Sequence, residues 1–504
     1  RVTTALLGVT ILLCFRSLRW ALIPVAVVAW AVVVTRGLLA LMGFQLSIVS
    51  SMLAAIVTIT GVATVVHVAL RYRSERESGL APRDAMANTA KGLARPIFFT
   101  CVTDAVGFAS LSIASVEPVR DFGQMMAVAS LMVLAAVAVL VPGLALLGSL
   151  DRDPHHAWGE RRIRHLLAWL VGRTERHRKA LSAVLMALMI VAVTGVLRSQ
   201  VETNFTRNFR ADHPIVSSYD FIETRLGGAG LWDVLIPAPE TLDEAYCTKI
   251  RNFQSKLTSS IPRPPSPVSS LTKVVSLVDA IDAAEASHTL SLVPIPVREE
   301  KLLEELPEFV RALRSQTTND QQGHLRIMRR ANEQLPAERK IALIESVRTA
   351  ARQAFPADGD AQAAEVTGPF VLMANLIGSL IRDQWRCFAV AILGIGLCMV
   401  LAFGDLRLAL VGLVPNVLPI LLVLGGLGWL DIKINMGAAM IAAAAMGLSV
   451  DSSIHYVTAF RRSRDIGADV PSAIHAAQAE VGPAILFSTL ALVVGFAALC
   501  TSQF

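Results

Sequence analysis

Residues 447–464 read GLSVDSSIHYVTAFRRSR. Together with the preceding MGAAMIAAAAMG at 436–447 they make 434–459 an apolar run of membrane-spanning length, closed by Arg461, Arg462 and Arg464. A helix needs about 20 such residues to cross a hydrocarbon core roughly 30 Å thick. Asp451 stands ten residues before Arg461, which at 1.5 Å per residue is about 15 Å along the axis, near the middle of that core. A carboxylate there costs about 2.5–3.5 kcal/mol on insertion scales. Burial disfavours its charge, so it is suited to loading and releasing a proton. A mid-membrane acid marks function; the plainer alternative is a protonated Asp451 that bonds a neighbouring helix.

Outward from this helix the same pattern recurs. The 504 residues are 54% hydrophobic and only 17% charged, with a mean hydropathy of +0.55, against roughly 25% charged in soluble domains. Apolar runs at about 2–15 (partial), 20–42, 46–70, 96–115, 122–148, 180–197, 386–403, 408–430, 434–459 and 484–501 predict ten helical spans. All are expected to be helices, because a backbone in lipid must satisfy its own hydrogen bonds. The basic residues sit in alternate loops: Arg16 and Arg19; Arg71 to Arg95; Arg152 to Lys179; Arg407; and Arg461 to Arg464. By the positive-inside rule these loops are cytoplasmic and residues 198–385 lie outside. The net charge of +6 is thereby explained by membrane orientation, and nucleic acid is not an expected partner. The stretch 155–179 interleaves Trp158, Ile163, Leu166, Leu167, Trp169 and Leu170 with arginines. It reads either as an amphipathic helix on the cytoplasmic membrane surface or as a basic linker.

The chain also matches itself. FRSLRWAL at 15–22 aligns with FGDLRLAL at 403–410, an offset of 388 residues. The same offset pairs His67, Arg73, Arg76 and Gly79 with His455, Arg461, Arg464 and Gly467, Phe99 with Phe487, and Gly107-Phe108 with Gly495-Phe496. Ungapped agreement over about 100 residues indicates a tandem-duplicated helical bundle with both halves in one orientation. The repeat is broken at the acid: Ala63 stands opposite Asp451, and Leu492 opposite Asp104. Asp104 lies nine residues beyond Arg95, and so also near mid-membrane. By the logic of the repeat, a helix and an outer domain are expected before residue 1 and a further helix after Phe504. The expected division is 1–150, a first bundle; 151–179, a cytoplasmic basic linker; 180–197, a single span; 198–385, the outer domain; and 386–504, a second bundle cut before its last helix.

An arrangement of helix, large outer domain and five helices, given twice, resembles the resistance-nodulation-division superfamily, and its MMPL branch in detail. The stretches that carry the likeness are 447–464, GPAILFSTLALVVGF at 482–496, RPIFFTCVTDAVGFASLS at 95–112 and VETNFTRNFRADHPIVSSYDFIETRLGG at 201–228. Residues 1–150 are also similar to the sterol-sensing domain of that superfamily. The resemblance implies a secondary active transporter of a bacterial inner membrane, with residues 198–385 periplasmic. It would be driven by the proton-motive force and export a hydrophobic or lipid-like substrate. It implies that Asp451 is the proton-relay group. In the family fold the central helix of one half meets the equivalent helices of the other, which would bring Asp104, Thr103 and Thr100 towards Asp451, and the two carboxylates would then titrate as a pair. His455, one turn after Asp451, and His67 at the same repeat position could pass protons onward, or simply hydrogen-bond between helices. Ser452 and the neighbouring Thr64, Ser453, Ser488 and Thr489 fit close helix packing. The partners implied are membrane lipids and the substrate, with a homo-oligomer or envelope accessory proteins left open. The alternatives are a lipid- or sterol-sensing receptor that does not pump, and a protein-export helper.

Other chemistry finds little support. The six cysteines (Cys14, Cys101, Cys247, Cys387, Cys398, Cys500) lack metal-ligand spacing and mostly lie within or beside apolar runs, so neither a zinc site nor a disulfide framework is expected. A metal on the two histidines is not expected either, for want of an evident third ligand. No cofactor is expected, and no phosphate loop or nucleophile–base set points to an enzyme. In the outer domain, WDVLIPAP at 232–239 and AEVTGPF at 364–370 read as strands, and 242–257 and 299–315 as helices. The expectation there is an α/β, ferredoxin-like porter fold of βαβ units, with a rigid Pro-rich loop at 261–270.

Overall fold

The turns between the helices carry the duplication into three dimensions. In the computed structural model, left-handed backbone occurs at Arg16 and Gly404, at Gly43 and Asp431, and at Gly79 and Gly467, three pairs separated by the same 388 residues. Ser17 and Asp405, again a repeat pair, each cap the helix that follows. The Ser17 hydroxyl accepts from the Trp20 amide at 3.4 Å, and the Asp405 carboxylate from the Arg407 and Leu408 amides at 2.7 and 3.3 Å. Each satisfies amides that a helix start leaves without partners. Gly79 and Gly467, with φ of 89° and 94°, end the two central helices in the conformation glycine adopts without a Cβ clash.

The structure describes residues 16–44, 53–148, 153–156, 160–199, 202, 206, 209–210, 212–226, 228–259, 271–285, 293–315, 323–357, 363–434 and 436–497. The expected span 2–15, Cys14, Trp158, the Pro-rich loop 261–270 and Cys500 lie outside them. The chain divides into two units, Arg1–Gln200 with Leu380–Phe504, and Val201–Ser379.

The first unit is helical: α1 (Leu18–Leu41), α2 (Leu53–Glu77), α3 (Pro82–Ala109), α4 (Glu117–Leu146), α5 (Glu160–Arg176), α6 (Arg178–Val196), the apolar part of α13 (Pro369–Phe403), α14 (Leu406–Trp429), α15 (Met436–Asp465) and α16 (Val470–Ala497). Shifted by 388, the bounds of α1 and α3 become those of α14 and α16. Eight helices among the described residues are long and apolar enough to cross a membrane, and they answer to eight of the ten expected spans. Of the other two, 2–15 is not described, and 434–459 is the helix α15. Several spans continue beyond the apolar run that announced them. The one expected at 96–115 begins at Pro82, because a stretch with Pro at its first turn leads into it, and Pro96 is carried inside the helix and does not end it. The chain belongs to the multi-pass helical membrane proteins.

Across the repeat the packing is crossed. α2 packs on α16, and α15 packs on α3, so the central helix of each half lies against the following helix of the other. Gly107 of α3 and Gly447 of α15 permit this approach: a Cβ on Gly107 would stand 2.9 Å from the Gly447 Cα. α6 docks on α14 even more closely. Ala192 and Gly195 face Gly425 and Gly428, where an added Cβ would fall 2.0–2.3 Å from backbone oxygens. The Trp429 indole N–H donates to the Val191 carbonyl at 2.9 Å, and the Arg198 guanidinium lies 4.2 Å from the centre of its ring. Small residues are what allow backbones so near each other in lipid, where no water is left to drive helices together.

The second unit holds β1 (Gly230–Pro237), β2 (Leu271–Val275), β3 (His324–Ala331) and β4 (Glu365–Thr367), with α7 (Pro214–Arg225), α8 (Glu244–Ser259), α9 (Leu277–Glu285), α10 (Ile295–Glu305), α11 (Pro307–Leu313) and α12 (Ala337–Ala354) between and around them. Strand order is β2-β3-β1-β4 and every neighbouring pair is antiparallel. β1 and β2, joined through α8, are therefore split by β3, as in a split βαβ unit. Trp232, Val234 and Ile236 of β1 and Leu325 and Ile327 of β3 fill the core beneath the helices. Two expectations need correction. The helix expected at 299–315 is two helices, α10 and α11, because Pro307 has no N–H to continue the first. The central strand β3 was not anticipated at all: HLRIMRRA carries three arginines, yet its alternate positions Leu325, Ile327 and Ala331 are buried.

Candidate functional site

α2, α3, α15 and α16 enclose a polar cavity at the centre of the first unit. Ala63 and Asp451, Thr64 and Ser452, Thr100 and Ser488, Asp104 and Leu492, and Thr60 and Leu448 line it, with Ile59 and Thr489. The first ten form five repeat pairs, so the cavity sits on the pseudo-twofold relation of the halves. Its chemistry is lopsided: each half contributes one carboxylate, at different places, and the repeat counterpart of each is apolar. Asp104 and Asp451 thus reach one chamber from α3 and α15, as the family resemblance implied. The Asp104 side chain is buried, and its Oδ1 has no hydrogen-bond partner among the described residues. Asp451 keeps 19% of its side chain accessible.

Behind Asp451 the two repeat histidines meet. The rings of His67 and His455 stack with centroids 4.1 Å apart and planes 7° from parallel. The His67 Nε2 lies 3.6 Å from Asp451 Oδ2 and the His455 Nε2 3.5 Å from Oδ1. Both Nε2 atoms are buried without a hydrogen-bond partner, since separations of this length are not hydrogen bonds. The two imidazoles also border a second cavity, towards the arginine-rich ends of α2 and α15, lined by Arg71, Glu77, Arg164 and Glu480 among others. The charges around it are matched. Glu480 pairs with both Arg71 and Arg462, Arg73 with Glu160 at 2.5 Å, and Arg76 with Asp153 at 2.7 Å.

Of the residues singled out in the sequence, Asp451, Asp104, Thr100 and Ser452 line the first cavity and His67 and His455 stand beside Asp451. Thr103 does not line it; its hydroxyl is turned to the Thr100 carbonyl at 2.9 Å. The ground for discounting a metal also fails. His67, His455 and Asp451 each offer a ligand atom within 4.8 Å of the others, so the fold supplies the third ligand that sequence spacing hid. Asn416 was overlooked. It is buried in α14, and its amide donates to the Gly412 carbonyl at 2.7 Å and to the Ser453 hydroxyl at 3.0 Å, tying α14 to the helix of Asp451. A polar side chain between Pro415 and Pro419 in an otherwise apolar span was the available signal. The basic stretch after residue 155 forms α5, which leaves Leu166, Trp169 and Leu170 exposed. Its Glu160 is held by Arg73, Arg164 and His156.

The family model described as MMPL family matches residues 1–179 and 317–504, taking in both halves of this site. The chain belongs to the MMPL family. It is 30% identical over 128 residues to a membrane protein of Methanocaldococcus jannaschii, MJ1562, a match covering 25% of this chain and 33% of that protein. It is 28% identical over 247 residues to a protein of Mycobacterium leprae named as a probable transport protein, MmpL11, covering 46% of this chain and 24% of that protein. The matched stretches thus span a third and a quarter of these curated relatives.

Proposed function

We propose that this MMPL protein is a proton-driven transporter that moves a hydrophobic or lipid-like substrate across or out of the inner membrane. The observation that carries the reading is the pair Asp104 and Asp451, two carboxylates from different halves facing one cavity among apolar helices. Two acids in a low-dielectric chamber disfavour joint ionisation, so occupancy by a proton changes the charge at the crossed interface of the halves. Helices packed through Gly107 and Gly447 can slide when that charge changes, and each proton crossing the potential supplies about 2.3 kcal/mol per 100 mV. The name borne by the Mycobacterium leprae relative supports transport as the activity. The residues 198–385 are proposed to lie outside the membrane, on the side away from the arginine-rich loops. No step in this reading draws on a cofactor.

Envelope lipids profiled by mass spectrometry, in cells carrying the full-length wild type, Asp451→Asn or a deletion at matched expression, test the reading. The expected result is that Asp451→Asn reproduces the lipid change of the deletion. A deletion phenotype together with a wild-type Asp451→Asn profile would remove Asp451 from the mechanism. No lipid change in either strain would overturn the lipid-like substrate.

A further inference from the structure

We infer that His67, His455 and Asp451 form a binding site for a divalent transition-metal ion of the zinc class. The inference stands on the geometry of the trio and does not require that the chain transports anything. Each imidazole presents its Nε2 to a different oxygen of the same carboxylate, at 3.6 and 3.5 Å. Those separations are too long for hydrogen bonds, but they suit two ligands of one ion. Taken singly, either separation matches the edge of a tetrahedron with metal–ligand bonds of about 2.1–2.2 Å, near those of Zn²⁺ to histidine and carboxylate; because they run to different oxygens, the carboxylate turns to offer one of them to the ion. Two nitrogens and a carboxylate complete the set. The stacked rings have to swing apart, from centroids 4.1 Å apart to about 5 Å at ordinary zinc–nitrogen distances, for both Nε2 atoms to converge on one ion, and the three ligand atoms already lie within 4.8 Å of one another.

Two independent observations point the same way. Both Nε2 atoms are buried and unpartnered, on side chains only 3% exposed; a buried polar atom left so costs free energy that a ligand would recover. The charges also balance. A dication at the trio would remove the repulsion that keeps Asp451 and Asp104, which faces the same chamber, from ionising together, and with both ionised a loaded site is neutral within the apolar helices. Imidazole nitrogen selects zinc, cobalt, nickel or copper over magnesium and calcium, which favour shells of oxygen. Entry is from the cavity that both histidines border. Arginines lie around it, but Arg71, Arg73, Arg164 and Arg462 are offset by ion pairs with Glu75, Glu77, Glu160 and Glu480.

The test uses the purified full chain in lipid nanodiscs, free of an affinity-tag histidine run and stripped with a chelator. Co²⁺ is titrated while its visible absorption is followed, and Zn²⁺ is then used to displace it. One equivalent should bind with the intense absorption of a tetrahedral site. His67→Gln, His455→Gln and Asp451→Asn should each weaken binding at least tenfold, while His165→Gln, at an exposed position on α5, leaves it unchanged. X-ray absorption on the Zn²⁺-loaded wild type should count mixed nitrogen and oxygen ligands, which keeps the test open if a variant misfolds. The inference is overturned if the wild type binds no more tightly than the His67→Gln/His455→Gln double variant, or if the bound ion shows an all-oxygen shell.

Discussion

Adding one methyl group at a time to the glycines of the first unit grades the closeness of its helices. A Cβ on Gly426 meets nothing within 4 Å, so Gly426→Ala should leave stability unchanged or raise it by up to about 1 kcal/mol through the lower entropy cost of alanine in a helix. On Gly447 the Cβ stands 3.2 Å from the Asp104 Cα, which a few tenths of an ångström relieve. On Gly107 it stands 2.9 Å from the Gly447 Cα, roughly 0.8 Å inside normal carbon contact. Overpacking of that size costs about 1–3 kcal/mol. At Gly425 and Gly428 the nearest atoms are carbonyl oxygens at 2.3 and 2.0 Å, so α6 and α14 must part by about 1 Å. That separation also breaks the Trp429 bond to Val191, worth about 1 kcal/mol more. The expected order of destabilisation is Gly426→Ala, Gly447→Ala, Gly107→Ala, then Gly425→Ala and Gly428→Ala together. The assay is the apparent thermal midpoint in nanodiscs of one lipid composition, scanned at one rate, where each kcal/mol moves the midpoint of a unit of this size by roughly 1–2 °C. If Gly425→Ala melts with Gly426→Ala, or Gly447→Ala falls below Gly107→Ala, the close approach of these helices is wrong.

Two further outcomes concern charges away from the cavity. Burial pushes the Glu160 carboxyl up, but hydrogen bonds from Arg164 and His156 and the charge of Arg73 outweigh it and leave it at about 2. A lowered carboxyl stabilises above its unfolded value near 4.5 and loses that contribution as pH falls towards 2. Amide exchange in α5, corrected for its intrinsic pH dependence, should therefore stay slow down to about pH 4.5 and quicken below it, and should be fast throughout in Glu160→Gln; equal protection in the variant would refute the anchoring. In the second unit, burial pulls the Arg329 guanidinium down to about 10. Its three nitrogens have no hydrogen-bond partner among the described residues, and only the faces of Trp232 and Phe253, each 5.9 Å away, offset the cost. Arg329→Met should stabilise this unit by about 1–3 kcal/mol, seen as slower amide exchange in β1 and β3 of the full chain; faster exchange would show that the guanidinium is held by a partner.

The membrane unit was readable because its signals are local. Apolar runs, the arginines that bound them and an ungapped repeat need no tertiary knowledge, and Asp451 announces itself by depth alone. What escaped depends on helices meeting. His67 and Asp451 are far apart in sequence and touch only through the crossed packing, so the trio had two evident members and a hidden third. Thr103 and Thr100 are three residues apart on one helix, yet only Thr100 faces the chamber, a rotation that spacing alone did not resolve. Strand β3 hid for a different reason: Arg329 occupies an inward position, which blurs the alternation that identifies a half-buried strand.

The lopsided lining of the central chamber has an ancestral consequence. Before the two halves were fused, a symmetric pair of identical bundles would have placed any acid in the chamber twice. A pair made only of the present first half would carry Asp104 twice and no counterpart of Asp451; a pair of the second half would carry Asp451 twice with Leu492 in place of Asp104. Joining the copies in one gene freed each to keep a different carboxylate. The halves are complementary in the acids they bring to the chamber.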